Sequence, residues 1–250
     1  MHLKQRCCAR CSILATVLWL LKQIGGPGPG FEWFFLFCLL VALLVRWWRP
    51  ATARGVRWFL LALGCVYLVL SLPIAANHIA DWLPAVPSAR LPGSAGPVDA
   101  LVVMDGDNRR GRTLAAIQVN AAAMPREIWV MGDGTLIEEL SAGGVQRNRI
   151  FHISFLPTTR DQIASLAGLV ARRPDWKIAV IVSRLQAPRM ALLLEGSHLA
   201  VRLIESPVDV EPATTGSFAF VPTYYALRLS RDAIYEHAAL RYYQWRGWIK

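Results

Sequence analysis

Two hydrophobic rhythms divide the chain near residue 97. Before that point apolar residues run on almost without interruption: Phe31 to Trp48 is broken only by Glu32 and Arg46, and Trp58 to Ala76 carries no charge. At 1.5 Å per residue the second run makes a helix of about 28 Å, the thickness of a hydrocarbon core. Trp33, Trp47, Trp48 and Trp58 stand at the ends of these runs, where interfacial aromatics belong. Residues 31–48 and 58–76 are therefore expected to be transmembrane helices. Ser12 to Ile24 is also apolar, but it reaches only about 20 Å before a Gly/Pro run. Residues 1–30 read as an interfacial or half-inserted segment. Residues 77–96, rich in Pro, Gly, Ser and Ala from Ala85 onward, read as a linker.

From Pro97 onward short apolar runs alternate with helical patterns. Strands are expected at Val98–Met104, Glu127–Met131, Arg149–Ile153, Lys177–Val182 and near Leu199–Ile204. Helices are expected between them: Arg112–Ala123, Leu136–Gly143 with Gly144 as cap, a stretch capped by Thr158 or Thr159 and running to about Arg173, and Gln186–Gly196. A last helix covers Tyr224–Trp245. Strands joined by single helices pair in parallel, so residues 97–250 are expected to form a Rossmann-like α/β three-layer sandwich with a parallel sheet. The expected fold is this sandwich preceded by a transmembrane helical hairpin.

Charge sharpens the division. Nine basic and two acidic residues precede position 95, and they account for most of the net +10. Four arginines lie between the two apolar runs, at positions 46, 49, 54 and 57, whereas only Arg90 follows the second run before the sheet pattern begins. Basic residues bracketing apolar runs are topology signals, so the basic pI points to a lipid bilayer and not to nucleic acid. The asymmetry places the C-terminal domain outside a bacterial inner membrane. All five cysteines fall in the first 65 residues, so the sheet domain holds no disulfide framework. Cys7, Cys8 and Cys11 have no His or second Cys pair at zinc spacing nearby.

In a parallel sheet ligands bind outside the carboxyl ends of the strands, which selects the candidates. The first strand ends in Asp105-Gly106-Asp107-Asn108 with Arg112 beyond, the second in Gly132-Asp133-Gly134, and the fourth in Ser183-Arg184-Leu185-Gln186 with Arg189 a turn on. Arginines beside helix N-termini suit a phosphate or carboxylate. The aspartates oppose an anion unless arginine or a divalent cation neutralises them, and Asp-Gly pairs are also ordinary turn formers. Arg109 and Arg110 read as a solvated face, and His152 as a packing residue. The chain has no Gly-x-Ser-x-Gly elbow, no P-loop and no Gly-x-Gly-x-x-Gly.

Six elements in order resemble the YdcF/ElyC/SanA family of bacterial envelope proteins over residues 97–250. They are ALVVMDGDN, then Arg112 with Ala115 and Ala116, MGDG, Thr159-Arg160-Asp161-Gln162, Ser183 to Arg189, and Glu236 followed by Tyr243 to Trp248. The layout of two spans before the domain is closest to ElyC-type members. The resemblance implies a role in peptidoglycan or surface-polysaccharide assembly, through a lipid-linked phosphate or other anionic ligand and with envelope synthesis proteins as partners. It implies no particular cofactor for this chain. The candidate ligand-binding residues are then Asp105, Gly106, Asp107, Arg112, Gly132, Asp133, Gly134, Thr159, Ser183, Gln186, Arg189 and Glu236, of which Asp105 and Asp107 are departures that this chain adds to the family's Gly-rich loop. Where the family has a His, this chain has Gln186, which cannot serve as a general base. Three readings follow: a ligand-binding protein with a degenerate site, a metal-dependent phosphoesterase or transferase using Asp105, Asp107 or Asp133, and a nonenzymatic membrane-anchored adaptor. Arg112 and Arg189 would grip the phosphate and Glu236 would orient one of them. The alternative is a purely structural ion-pair network.

Overall fold

The computed structural model describes residue 47, residues 53–106 apart from 87, 88, 90 and 95, residues 108–207 apart from 155 and 157, and residues 217–249. The expected interfacial segment 1–30, nearly all of the expected span 31–48, and Asp107 lie outside the described residues. The chain divides into two compact units. One groups residues up to Trp82 with Pro212–Ala239, and the other groups Leu83–Glu211 with Leu240–Lys250. The sheet domain expected over 97–250 thus contributes a stretch of its last helix to the first unit.

In the second unit β1 (Ala100–Val103), β2 (Glu127–Met131), β3 (Ile150–Ile153), β4 (Ile178–Ser183) and β5 (Arg202–Ser206) form one sheet in the order β3-β2-β1-β4-β5. All four pairings are parallel, as the alternating pattern requires. β1 and β4, the central strands, are buried at every position, which explains their unbroken runs of Val, Ile, Leu and Ala. Helices α3 (Arg109–Ala123) and α4 (Thr135–Ala142) pack their apolar sides with Leu101, Val103, Ile128, Val130, Ala179 and Ile181. Helices α5 (Thr159–Arg172) and α6 (Ala187–Gly196) pack on the opposite face with Val102, Met104, Val180 and Val182. The period of two along each strand thus feeds two separate cores.

Local chemistry sets the helix ends. Thr158, not Thr159, caps α5: its side chain accepts from the Asp161 N–H while the Asp161 carboxylate accepts from the Thr158 N–H, a reciprocal box. Gly144, at φ +89°, ends α4 with Val145 N–H donating to Leu140 carbonyl and Gly144 N–H to Ser141 carbonyl.

The first unit contains α1 (Ala53–Leu70), α2 (Pro73–Asp81) and most of α7 (Tyr224–Trp245). The stretch 58–76, expected as one span, is not one helix. Pro73 lacks an N–H, clashes with the carbonyl four residues back, and forces the preceding residue out of the helical region; Leu72 sits at φ −78°, ψ 128°. The axes of Trp58–Leu70 and Pro73–Asp81 differ by 73°. Among the described residues no single helix is long and apolar enough to cross a membrane, and this bent pair meets the length and composition of a span only as a pair.

Candidate functional site

The strand order reverses between β1 and β4: the chain leaves β1 toward β2 and β3 on one side, then returns to place β4 and β5 on the other. The loops that follow β1 and β4 therefore lead to helices on opposite faces of the sheet, and this reversal at the carboxyl edge is the position where open α/β sheets bind ligands in a crevice. These loops meet. Gly106, at φ +143°, brings its backbone so close to Gln186 that a Cβ there would lie 1.8 Å from Gln186 Nε2. The positive φ favours glycine there, and any Cβ would push the Gln186 amide from its place.

Arg112 is the largest fully buried side chain, with 1% of its surface exposed. It lies on the second turn of α3, and its guanidinium turns back to donate to the carbonyls of Met104 and, at 2.6 Å, Gly106. Arg112 thus fixes the path of the loop that leaves β1. Arg189, 3% exposed, lies in the first turn of α6; it donates to Thr159 Oγ1 at 2.5 Å and stacks over the Tyr243 ring. That contact ties the start of α6 to the start of α5, so Thr159 and Arg189 share one corner of the rim. Ser183, buried at the end of β4, accepts from the Gln186 N–H through its hydroxyl.

The acidic candidates are held by neighbours. Asp105 accepts from the Gly106 N–H at 2.8 Å, and its side chain lies against Gly132, whose φ of +92° and lack of Cβ make room for it. Asp133 accepts from the Thr135 hydroxyl at 2.6 Å and its N–H at 2.9 Å. These two bonds, with Arg109 3.4 Å away, hold the Asp133 carboxyl below its ordinary range. Gly134 lies under the His152 ring. Among the described residues no group of three or more His, Cys, Asp or Glu side chains is placed to hold a metal ion. Glu236 is buried on α7, in the stretch grouped with the first unit.

His152, expected as a packing residue, lies on the edge strand β3 with its ring against Gly134 but exposed, and its Nε2 is 2.8 Å from the Gly132 carbonyl. Arg109 is half exposed as expected, yet it pairs with both Asp133 and Glu139, and Glu139 also accepts from Thr113. Asn108 was given no role in the sequence pattern. It adopts the left-handed conformation at φ 49°, caps α3 through its side chain, and donates to Ser206 Oγ and the Pro207 carbonyl. Its place directly before the helix was the available signal, since Asn is favoured both as an N-cap and in the left-handed region.

At the sheet's carboxyl edge the structure thus brings together Asp105, Gly106, Arg112, Gly132, Asp133, Gly134, Thr159, Ser183, Gln186 and Arg189. No protein-family model, no curated protein and no solved structure matches this chain.

Proposed function

We propose that this chain is a bacterial inner-membrane protein whose sheet unit, outside the cytoplasm, binds a phosphate-bearing ligand during peptidoglycan or surface-polysaccharide assembly. A lipid-linked phosphate carrier is the preferred ligand class. The observation that carries the reading is the meeting of the Gly106 and Gln186 loops at the strand-order reversal, with a buried arginine on the helix after each loop. The two arginines have different tasks. Arg112 shapes the loop through backbone carbonyls, and Arg189, which donates to Thr159 at the N-terminus of α5, is the residue proposed to meet the anion. Gln186 at the crevice can donate and accept but cannot carry a proton between substrate and water at neutral pH, which favours binding over hydrolysis. The metal-dependent phosphoesterase reading gains no ligand set among the described residues. The likeness to the YdcF/ElyC/SanA family supports the envelope role, and the uncharged stretch from Trp58 to Ala80 supports the anchor.

The test uses the full chain in lipid nanodiscs, titrated with inorganic phosphate and with undecaprenyl phosphate while thermal unfolding is followed. Saturation at a hundredfold excess over Kd should add about 2.7 kcal/mol, a rise of several degrees. Arg189→Ala should remove the rise, and Arg189→Lys should keep only part of it, because the planar fork is lost while the charge stays. No response to either probe, or an unchanged response in Arg189→Ala, overturns the binding reading. A phosphatase reporter fused after Lys250 should be active only if the sheet unit lies outside the cytoplasm; activity of a cytoplasm-only reporter at that position overturns the location.

A further inference from the structure

The break at Pro73 releases backbone carbonyls that α1 can no longer satisfy within itself. Those of Tyr67, Leu68 and Val69 are taken by the N–H groups of Ser71 and Leu72, and that of Leu72 by Ala76. The remaining two are satisfied from a distant part of the sequence. Ser230 Oγ donates to the Leu70 carbonyl at 2.7 Å, and Thr223 N–H donates to the Ser71 carbonyl at 2.8 Å. In water such carbonyls would be hydrated without help. In hydrocarbon each must find a partner inside the protein, and broken helices persist there only when neighbouring segments supply one.

These two bonds bring Thr223 and Ser230 to the bend, and the residues flanking Thr223 expose apolar and aromatic side chains. Phe220 is 63% exposed and Tyr224 60%, with Val221 and Tyr225 about half exposed between and beyond them. No charge occurs from Ser217 to Leu227 or from Trp58 to Ala80. Charge resumes directly after the tyrosines, where Asp232 pairs with Arg231 at 2.5 Å and Arg228 at 3.9 Å. Apolar tip, then tyrosines, then arginines is the order of side chains met on leaving a bilayer through its interface.

We infer that residues 217–225 form a second lipid contact beside the α1–α2 bend, so that the helical unit meets the bilayer through two separate parts of the chain. The inference rests on the membrane anchor proposed above and extends it to a segment some 150 residues downstream of the N-terminal apolar runs. It explains why a segment after the sheet exposes three aromatic side chains and Val221, while the Thr223 N–H turns inward to the bend.

The experiment reconstitutes the full chain in vesicles of phosphatidylethanolamine and phosphatidylglycerol that carry a photoactivatable acyl chain, and maps lipid adducts by peptide mass spectrometry. Adducts are expected on both 58–70 and 217–225. In the Phe220→Asp, Val221→Asp double variant the adducts on 217–225 should fall at least fivefold while those on 58–70 remain. Adducts on 58–70 alone overturn the second contact and leave the anchor standing. Adducts on neither stretch overturn the anchor and this inference with it. Chain-to-chain crosslinks at 217–225 in place of lipid adducts assign the surface to a second copy and overturn the lipid contact.

Discussion

In the sheet unit β1 and β4 are buried at every position, whereas α1 in the helical unit exposes Trp58, Phe59, Leu61, Val66, Leu68 and Val69. The sheet unit turns its apolar residues inward to two cores and holds a buried guanidinium on backbone carbonyls. The helical unit turns apolar residues outward and directs its hydroxyl and amide donors to the bend. A protein in water gains stability by removing apolar surface from solvent, at about 25 cal/mol per Å². An apolar surface left uncovered in this way marks a face made to meet something other than bulk water, and the membrane anchor proposed above is one such partner. The same twenty amino acids thus follow opposite sorting rules within one chain.

Substitutions can break this contrast. Arg112→Met should have the largest effect, because it strips the partner from the buried Met104 carbonyl and from the partly buried Gly106 carbonyl: a loss of about 3–5 kcal/mol, seen as a drop of roughly 10 °C in the unfolding midpoint. Next comes a matched pair. Leu101→Ala, in the core under α3 and α4, should cost about 3 kcal/mol by leaving a cavity. Leu61→Ala, exposed on α1, should cost under about 0.5 kcal/mol in detergent. Equal losses at the two positions would mean that α1 is packed against protein, and the contrast would collapse.

Smaller effects sharpen it. Asn77 Nδ2 on α2 is the one buried side-chain polar atom without a hydrogen-bond partner among the described residues. Asn77→Leu should raise stability by about 1 kcal/mol, measured by thermal unfolding in detergent, since the replacement leaves no unsatisfied amide. The smallest effect concerns pH. The Asp133 carboxyl is held below its ordinary range by Thr135 first and Arg109 after it. Its contribution is therefore complete above the ordinary carboxylate range and is lost as pH falls through the lowered folded value. Asp133→Asn should flatten the acid side of the stability profile slightly, because the group is partly exposed and solvent screens it.

The sheet was legible because period-two burial and the need for crossover helices leave little choice. β2 and the last helix fall on the residues expected for them, and the other elements shift at their ends by one to three residues. Helix α3 begins three residues earlier than its apolar pattern suggests, since Asn108, not hydrophobicity, starts it. The rim was legible as a set, because strand direction alone sends those loops to one edge. The tasks of its members were not. Arg112 is written in sequence like any helix arginine, and only the folded loop shows that its donors face Met104 and Gly106. His152 was misplaced because a strand of alternating pattern does not announce that it lies at an edge. The break after α1 was missed, since hydropathy carries straight across Pro73, and the partners of the freed carbonyls lie about 150 residues away, beyond the reach of any local pattern.

Asn108 has one more consequence. Its backbone occupies a conformation that costs a non-glycine residue about 1 kcal/mol or more. The amide that accepts this conformation also latches the turn after the first strand to the turn after the fifth, through Ser206 and Pro207. Gly111 completes the latch, since any larger residue would collide with the Pro207 carbonyl. The turn after the first strand is therefore tethered on its fifth-strand side. A ligand of the kind proposed above would meet that turn already ordered, with little entropy left to lose there on capture.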